Sequence, residues 1–215
     1  MQQLDFSKLF DDGKQVNTEH GMVTLARHTA GDLVLSTGAL VACDPFTAPD
    51  TDPFSLRLPP GTYSLILSVA NYEDDDRRVA GAMLQISARQ AVSWELALLP
   101  DQALSELEAG EIFGYGVDSG TGCFMDEDAA EILMSKMEAD DAYFETIIAE
   151  MDKTYTDTWS WTNIDMNPAT RSNLIAFSSG MGDGFYASYI GRDADGNVAS
   201  IITDFALFTD EEMAN

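Results

Sequence analysis

From residue 22 onward, short apolar stretches alternate with Gly, Asp and Pro punctuation, a pattern that predicts a succession of β-strands. MVTLARH (22–28), DLVLS (32–36) and ALVACD (39–44) are the first three, and Ala30-Gly31-Asp32 between the first two predicts a tight hairpin connection. TYSLILSVA (62–70), VAGAMLQISA (79–88) and AVSWELALL (91–99) continue the series. In the first of these, Tyr63, Leu65, Leu67 and Val69 alternate with Ser64, Ile66 and Ser68, which gives one mostly apolar face. Trp94 alternates with core positions and is expected to be buried. Residues 44–61 hold five of the seven prolines and predict an irregular loop; NYEDDDRR (71–78) is a polar hairpin tip.

The period changes at Asp126. Ala129, Ala130, Leu133, Met134 and Met137 fall on one helical face, and Tyr143, Phe144, Ile147, Ile148 and Met151 fall on another. Asp126 and either Asp140 or Asp141 stand where N-caps belong. A short helix is expected at 4–10, with Leu4, Leu9 and Phe10 inward, and the acidic stretch 101–111 has helical character. Residues 154–172 are polar and aromatic and predict a loop. Strands return at 173–179, 184–191 and 197–208, before a frayed acidic tail. No internal repeat or low-complexity linker divides the chain. The expectation is one domain over 1–215: mainly β (α+β), an antiparallel β-sandwich or open barrel with an inserted pair of helices near 126–152.

Charge changes the picture more than length does. The 215 residues carry 37 acids against 11 bases, a net charge of −26. Such a field repels nucleic acid phosphates and anionic membranes and draws in cationic partners. Within 101–157, sixteen acids face only Lys136 and Lys153. Two readings follow: solubility, as in salty surroundings, or an acidic face for a basic protein partner. On the second reading Glu138, Asp140, Asp141 and Glu145 supply the charge. Trp159 and Trp161, in a polar segment, are expected to be exposed and to anchor that partner. With two cysteines, Cys43 and Cys123, there is no disulfide framework. The N-terminal stretch lacks an apolar run after a basic start, and runs such as Leu65–Ala70 are far below spanning length, so a cytoplasmic location with reduced thiols is expected.

Two glycine-rich loops carry the candidate chemistry. The first, FGYGVDSGTGCFMD (113–126), contains Val117-Asp118-Ser119-Gly120-Thr121, the letters of an aspartic protease signature. That chemistry needs two carboxylates sharing a proton, and the chain has one copy. The same letters occur in the phosphate-binding turn of actin-like kinases, a fold that needs far more chain. The second loop is Ser178-Ser179-Gly180-Met181-Gly182-Asp183-Gly184. If the two loops meet near Cys43 and Asp44, they gather Asp44, Asp118, Ser119, Thr121, Cys123, Asp126, Ser178, Ser179 and Asp183. The hard oxygens among them suit Ca²⁺ or Mg²⁺, and hence a metal-dependent hydrolase or a small-ligand site. The competing reading is a buried network of turn-capping Asp and Ser residues that needs no cofactor. Asp193-Ala194-Asp195-Gly196-Asn197 begins like a calcium loop, but position 204 offers Asp where that loop needs Glu, and a hairpin turn fits better. With only His20 and His28, a catalytic triad or a histidine zinc site has little material.

GALVACDPF (38–46), LPPGTYSLIL (58–67), RRVAGAML (77–84), the 113–126 motif, NLIAFSSGMGDGFYASYIGRDADGNV (173–198) and TDF (203–205) together resemble a bacterial family, domain of unknown function 4241. Its pattern often has Trp where this chain has Met181. The resemblance implies a single domain and brings no reaction with it. The reading carried forward is an acidic, non-enzymatic, immunity-like protein that neutralises a basic partner. The alternative is a carboxylate-based hydrolase or ligand-binding domain.

Overall fold

The computed structural model describes residues 5–214; Leu4 therefore lies outside the described residues. A 3₁₀ turn at Phe6–Phe10 opens the chain and buries Leu9 and Phe10 as expected. Six strands follow: β1 (Gln15–Thr18), β2 (Gly21–Leu35), β3 (Leu40–Cys43), β4 (Gly61–Asn71), β5 (Arg77–Gln85) and β6 (Ser93–Leu96). Next come β7 (Tyr115–Val117), β8 (Thr121–Asp126), helices α1 (Glu127–Ala139) and α2 (Tyr143–Asp152), β9 (Trp161–Asn167) and β10 (Ser172–Ser178). The chain closes with β11 (Gly184–Tyr186), β12 (Ser188–Arg192), β13 (Val198–Asp204) and α3 (Asp210–Ala214).

The strands form a seven-stranded sheet in the order β1-β2-β4-β5-β13-β12-β6, a four-stranded sheet β3-β8-β10-β9, and a ribbon of β11 and β7. All pairings are antiparallel, and the curled sheets make a half-barrel. Leu65, Leu67, Leu84 and Ile201 of the large sheet meet Phe124, Ile175 and Phe177 of the small one in the central core. The outer face of the small sheet, with Cys43, Cys123, Met125 and Leu174, is covered by Ala129, Ala130 and Leu133 of α1 and Ile147 and Met151 of α2. The outer face of the large sheet, with Leu25, Ile66 and Ile202, is covered by Leu9 and Phe10 and partly by Phe208 and Met213. Both faces of the central strands are thus buried, so Ile66 lies in a second core rather than on a solvated face. Ser68 is accommodated there by donating to the carbonyl of Leu9 at 2.5 Å.

Five expectations are corrected. The predicted hairpin at 30–32 is a bulge inside one continuous 15-residue strand, β2. Pairing with β4 steps from Thr29 opposite Ile66 to Gly31 opposite Leu65, which leaves Ala30 without a counterpart, and Gly31 takes φ +131°. The predicted loop 154–172 contains β9, the partner of β10; it reads as polar because it is an edge strand with exposed positions. The acidic 101–111 stretch forms only a 3₁₀ turn at Leu104–Glu106. The tail is a short helix, in which Thr209 Oγ1 accepts the Glu212 N–H and Glu212 Oε2 accepts the Thr209 N–H. Trp94 is half-buried, edge-on to Phe6 with ring centroids 5.6 Å apart. No helix among the described residues is long and apolar enough to cross a membrane.

Candidate functional site

The two glycine-rich loops do meet. Ribbon pairing sets Val117 opposite Gly184, so Asp118 and Asp183 leave it at adjacent positions, both exposed. Ser179 donates its N–H to the Gly120 carbonyl at 3.1 Å, and Ser178 pairs with Thr121 across β10 and β8. Gly120 takes φ +70°, and a Cβ there would touch the Cα of Gly182 at 3.6 Å, so the loops are packed backbone to backbone. Cys123 lies directly opposite Cys43, Sγ to Sγ 3.6 Å, with both thiols fully buried and free.

Asp44 holds this arrangement from beneath. Its carboxylate is fully buried and accepts four backbone N–H groups. Oδ1 takes those of Phe46 (2.9 Å) and Thr47 (3.2 Å), and Oδ2 takes those of Asp118 (3.0 Å) and Ser119 (2.8 Å). Burial pushes its pKa up, but the bonds from Phe46, Ser119 and Asp118 outweigh burial and hold the carboxyl below its ordinary range. Each oxygen is occupied by two donors, which leaves Asp44 a clamp rather than an open ligand or base.

Asp126 belongs elsewhere. β8 is fully extended, so Thr121 and Asp126 occupy opposite ends of the small sheet. There Asp126 caps α1 by accepting the Asp128 N–H at 3.2 Å, and it also accepts Ser36 Oγ, Thr37 N–H and Thr37 Oγ1. Asp128, which the sequence did not single out, is the hub of that end. It accepts Thr170 Oγ1 (2.6 Å), Ser172 Oγ (2.7 Å) and Asn167 Nδ2 (3.2 Å), and these bonds, led by Thr170 and Ser172, lower its pKa. Among the described residues, no group of three or more His, Cys, Asp or Glu side chains is arranged to hold a metal ion. The calcium-like segment is a turn: Asp193 Oδ1 accepts the N–H groups of Asp195 and Asn197, and Arg89 pairs with both Asp193 and Asp195.

The acidic face gathers on the helix pair. Glu138, Asp140, Asp141 and Glu145 are all exposed. Asp140 ends α1 and accepts the Ala142 N–H at 3.0 Å, but α2 itself begins at Ala142 without a side-chain cap. A helix of ten residues turns only one stripe toward the sheet, and in α2 that stripe is Tyr143, Ile147 and Met151. Phe144 and Ile148, expected inward, sit one position around and project outward, 36% and 42% exposed. Spacing by four aligns Phe144, Ile148 and Asp152 along one outer stripe of α2, and the exposed Asp140 and Asp141 lie in the turn that leads into the helix.

The tryptophans are not part of this face. Trp159 is buried at 9% exposure, and Trp161 is half-buried against the central core. Both rings pack on His28 with centroids 5.0 Å away, and burial lowers the His28 pKa. Their polar neighbours concealed that the chain leading into β9, and the first residue of β9, pack these rings against the central core.

Over residues 33–203 the sequence matches the family described as Protein of unknown function (DUF4241). The chain belongs to that family. Neither the curated proteins nor the solved structures provide a significant match. Within this family member, the glycine-rich motif builds a clamped loop pair, and α2 carries an exposed apolar pair, Phe144 and Ile148.

Proposed function

We propose that the protein is a non-enzymatic, immunity-like binding protein that engages a basic protein partner through the outer face of α1 and α2. One observation carries this reading: Phe144 and Ile148 are exposed one turn apart on α2, flanked by Asp140, Asp141, Glu145 and Asp152. Apolar groups near the centre of an interface supply most of the binding energy, while a carboxylate rim steers a cationic surface into register. The occupation of Asp44 by backbone donors and the distance of Asp126 from Asp118 also favour binding over carboxylate chemistry.

Capture from a lysate of the protein's own cells, followed by association kinetics with the retained protein, tests the proposal. A basic protein is expected, bound at a rate that falls with added salt. Neutralising Glu138, Asp140, Asp141 and Glu145 together should slow association roughly tenfold at low salt and flatten its salt dependence. Phe144→Ser with Ile148→Ser should instead raise the dissociation rate. An acid-neutralised variant with the wild-type rate and salt slope would reduce this face to a solubility device.

A further inference from the structure

Away from the helix pair, a second concave surface combines charge with apolar lining. An open groove of about 700 Å³ is walled by His20 of the β1–β2 turn, by Tyr72, Glu73, Asp74 and Asp76 of the β4–β5 tip, by Met181 of the second glycine-rich loop, and by Ala206 and Leu207 after β13. The size is that of a groove taking several residues of a bound segment. Its acids are not equivalent. Asp76 is already committed: Arg78 Nε donates to it at 3.0 Å, and Thr158 Oγ1 also donates to it. Glu73 and Asp74 stand exposed at the rim. The Glu73 carboxylate lies over the β1–β2 turn, where a Cβ on Gly21 would meet Oε2 at 3.4 Å. Tyr72 is half-buried, and burial together with the nearby Asp76 raises its phenol pKa, so the ring stays neutral and sits in a negative field. Met181 is 68% exposed, an unbranched thioether left at the surface.

A metal ion does not fit these walls, because no three of their His, Asp and Glu side chains are arranged to hold one. A purely apolar segment would bury Glu73 and Asp74 without partners. The chemistry that matches an aromatic ring, a thioether and two exposed carboxylates, with Asp74 Oδ1 accepting the Asp76 N–H at 3.4 Å, is a flat, weakly hydrated cation with an apolar stem. A guanidinium has that character more than an ammonium, since it stacks on aromatic faces and engages carboxylates with paired donors. We infer that this groove receives an arginine side chain of an extended basic segment, its guanidinium between Glu73 and Asp74 and its stem against Tyr72, Met181 and Leu207. The inference rests on the reading that the partner is basic, and it names what part of the partner is read and where.

A blocked hexapeptide rich in arginine, with its citrulline counterpart as the neutral control, is the probe. With methyl-labelled methionine, the Met181 resonance is picked out from the ten methionines by Met181→Leu. The arginine peptide should shift the Met181 methyl saturably, and the citrulline peptide should not. Glu73→Gln with Asp74→Asn, both exposed and safe for folding, should weaken binding about tenfold and flatten its salt dependence; Tyr72→Leu should weaken it several-fold. Equal shifts from the citrulline peptide overturn the inference. So does arginine-peptide binding that leaves the Met181 methyl unmoved, or binding that the Glu73/Asp74 variant retains in full. The two proposals separate cleanly. Loss of the Met181 shift only when the α2 acids are neutralised removes the groove and keeps the helix face. A responsive groove with an inert helix face does the reverse.

Discussion

Asp44 and Ser119 are 75 residues apart in sequence, and Asp44 Oδ2 accepts the Ser119 N–H at 2.8 Å. With Asp118, Phe46 and Thr47 as the other donors, one buried carboxylate fixes the end of β3, the turn after it and the first glycine-rich loop.

Removing it should cost more than a typical core substitution. Asp44→Ala leaves four N–H groups short of an acceptor, a loss of roughly 3 kcal/mol or more; Asp44→Asn keeps one oxygen acceptor and should lose about half of that. The pH dependence has a definite sign. A carboxyl with a folded pKa below its unfolded value contributes fully above the unfolded value, ordinarily 3.8, and loses that contribution as pH falls through the lower folded value. Urea unfolding of wild type and Asp44→Asn at pH 7 and pH 3 should show the gap between them narrowing in acid. A gap that widens would contradict the clamp.

How much of this was legible depends on the range of the interaction. The period switch at Asp126 is local, and it located both helices and the α1 cap. Ala30-Gly31-Asp32 carries the same letters whether it turns a hairpin or a bulge, and only the uninterrupted β4 beside it decides. Asp118 and Asp126 share one motif, so the sequence groups them, but six extended residues of β8 carry them to opposite ends. Asp44 joins the first loop and Asp128 joins Thr170 and Ser172 through contacts 42 to 75 residues apart, which no local pattern announces. Phe144 and Ile148 count as apolar in any periodicity, and only packing against the sheet reveals that the stripe beside theirs was chosen.

The thiols of Cys43 and Cys123 should be silent in the native protein. Both are fully buried under α1 and α2, and the Cys43 pKa is raised by its contact with the Cys123 thiol and by burial. A chromogenic disulfide reagent at pH 8 should react negligibly over minutes with folded protein and should count two thiols in denaturant. Fast native reaction would mean that the helix pair opens readily.

Two glycines with the same backbone angle should respond differently to alanine. Gly13 and Gly38 both have φ +79°, but around Gly13 there is open space, whereas a Cβ on Gly38 would fall 2.0 Å from the Leu58 carbonyl oxygen. Gly13→Ala should cost about 1 kcal/mol, the ordinary strain of a left-handed alanine. Gly38→Ala must also displace the 58–60 segment and the bond from the Leu58 N–H to the Gly38 carbonyl, so a loss of roughly 3 kcal/mol or more is expected. Denaturation midpoints at unchanged m-value measure both, and equal losses would refute the close approach at Gly38.

Asp204 should be a residue whose charge weakens the fold. It ends β13 beside a small cavity of about 40 Å³ lined by Asp5, Phe6, Leu9, Phe208, Asp210 and Met213. Burial raises its pKa to about 6; the Ala206 N–H, donated to Oδ1 at 2.9 Å, opposes that rise, and the neighbouring Asp210 adds to it. The sign is opposite to that of Asp44. A folded pKa above the unfolded one means that the contribution is fully present below the unfolded value and is lost as pH rises through about 6. Near pH 7.5 the wild type therefore holds an unfavourable, partly buried charge. Asp204→Asn removes that charge and keeps an acceptor for Ala206, so it should stabilise the protein at pH 7.5 by about 2 kcal/mol, allowing for partial solvent screening. By about pH 4, where the wild-type carboxyl is already neutral in the fold, the difference should largely vanish. Melting both proteins across this range isolates the one group, because every other carboxylate is shared. A variant less stable than wild type at pH 7.5, or a gain that persists undiminished in acid, would show that Asp204 is held by a cationic or donor partner rather than merely desolvated in part.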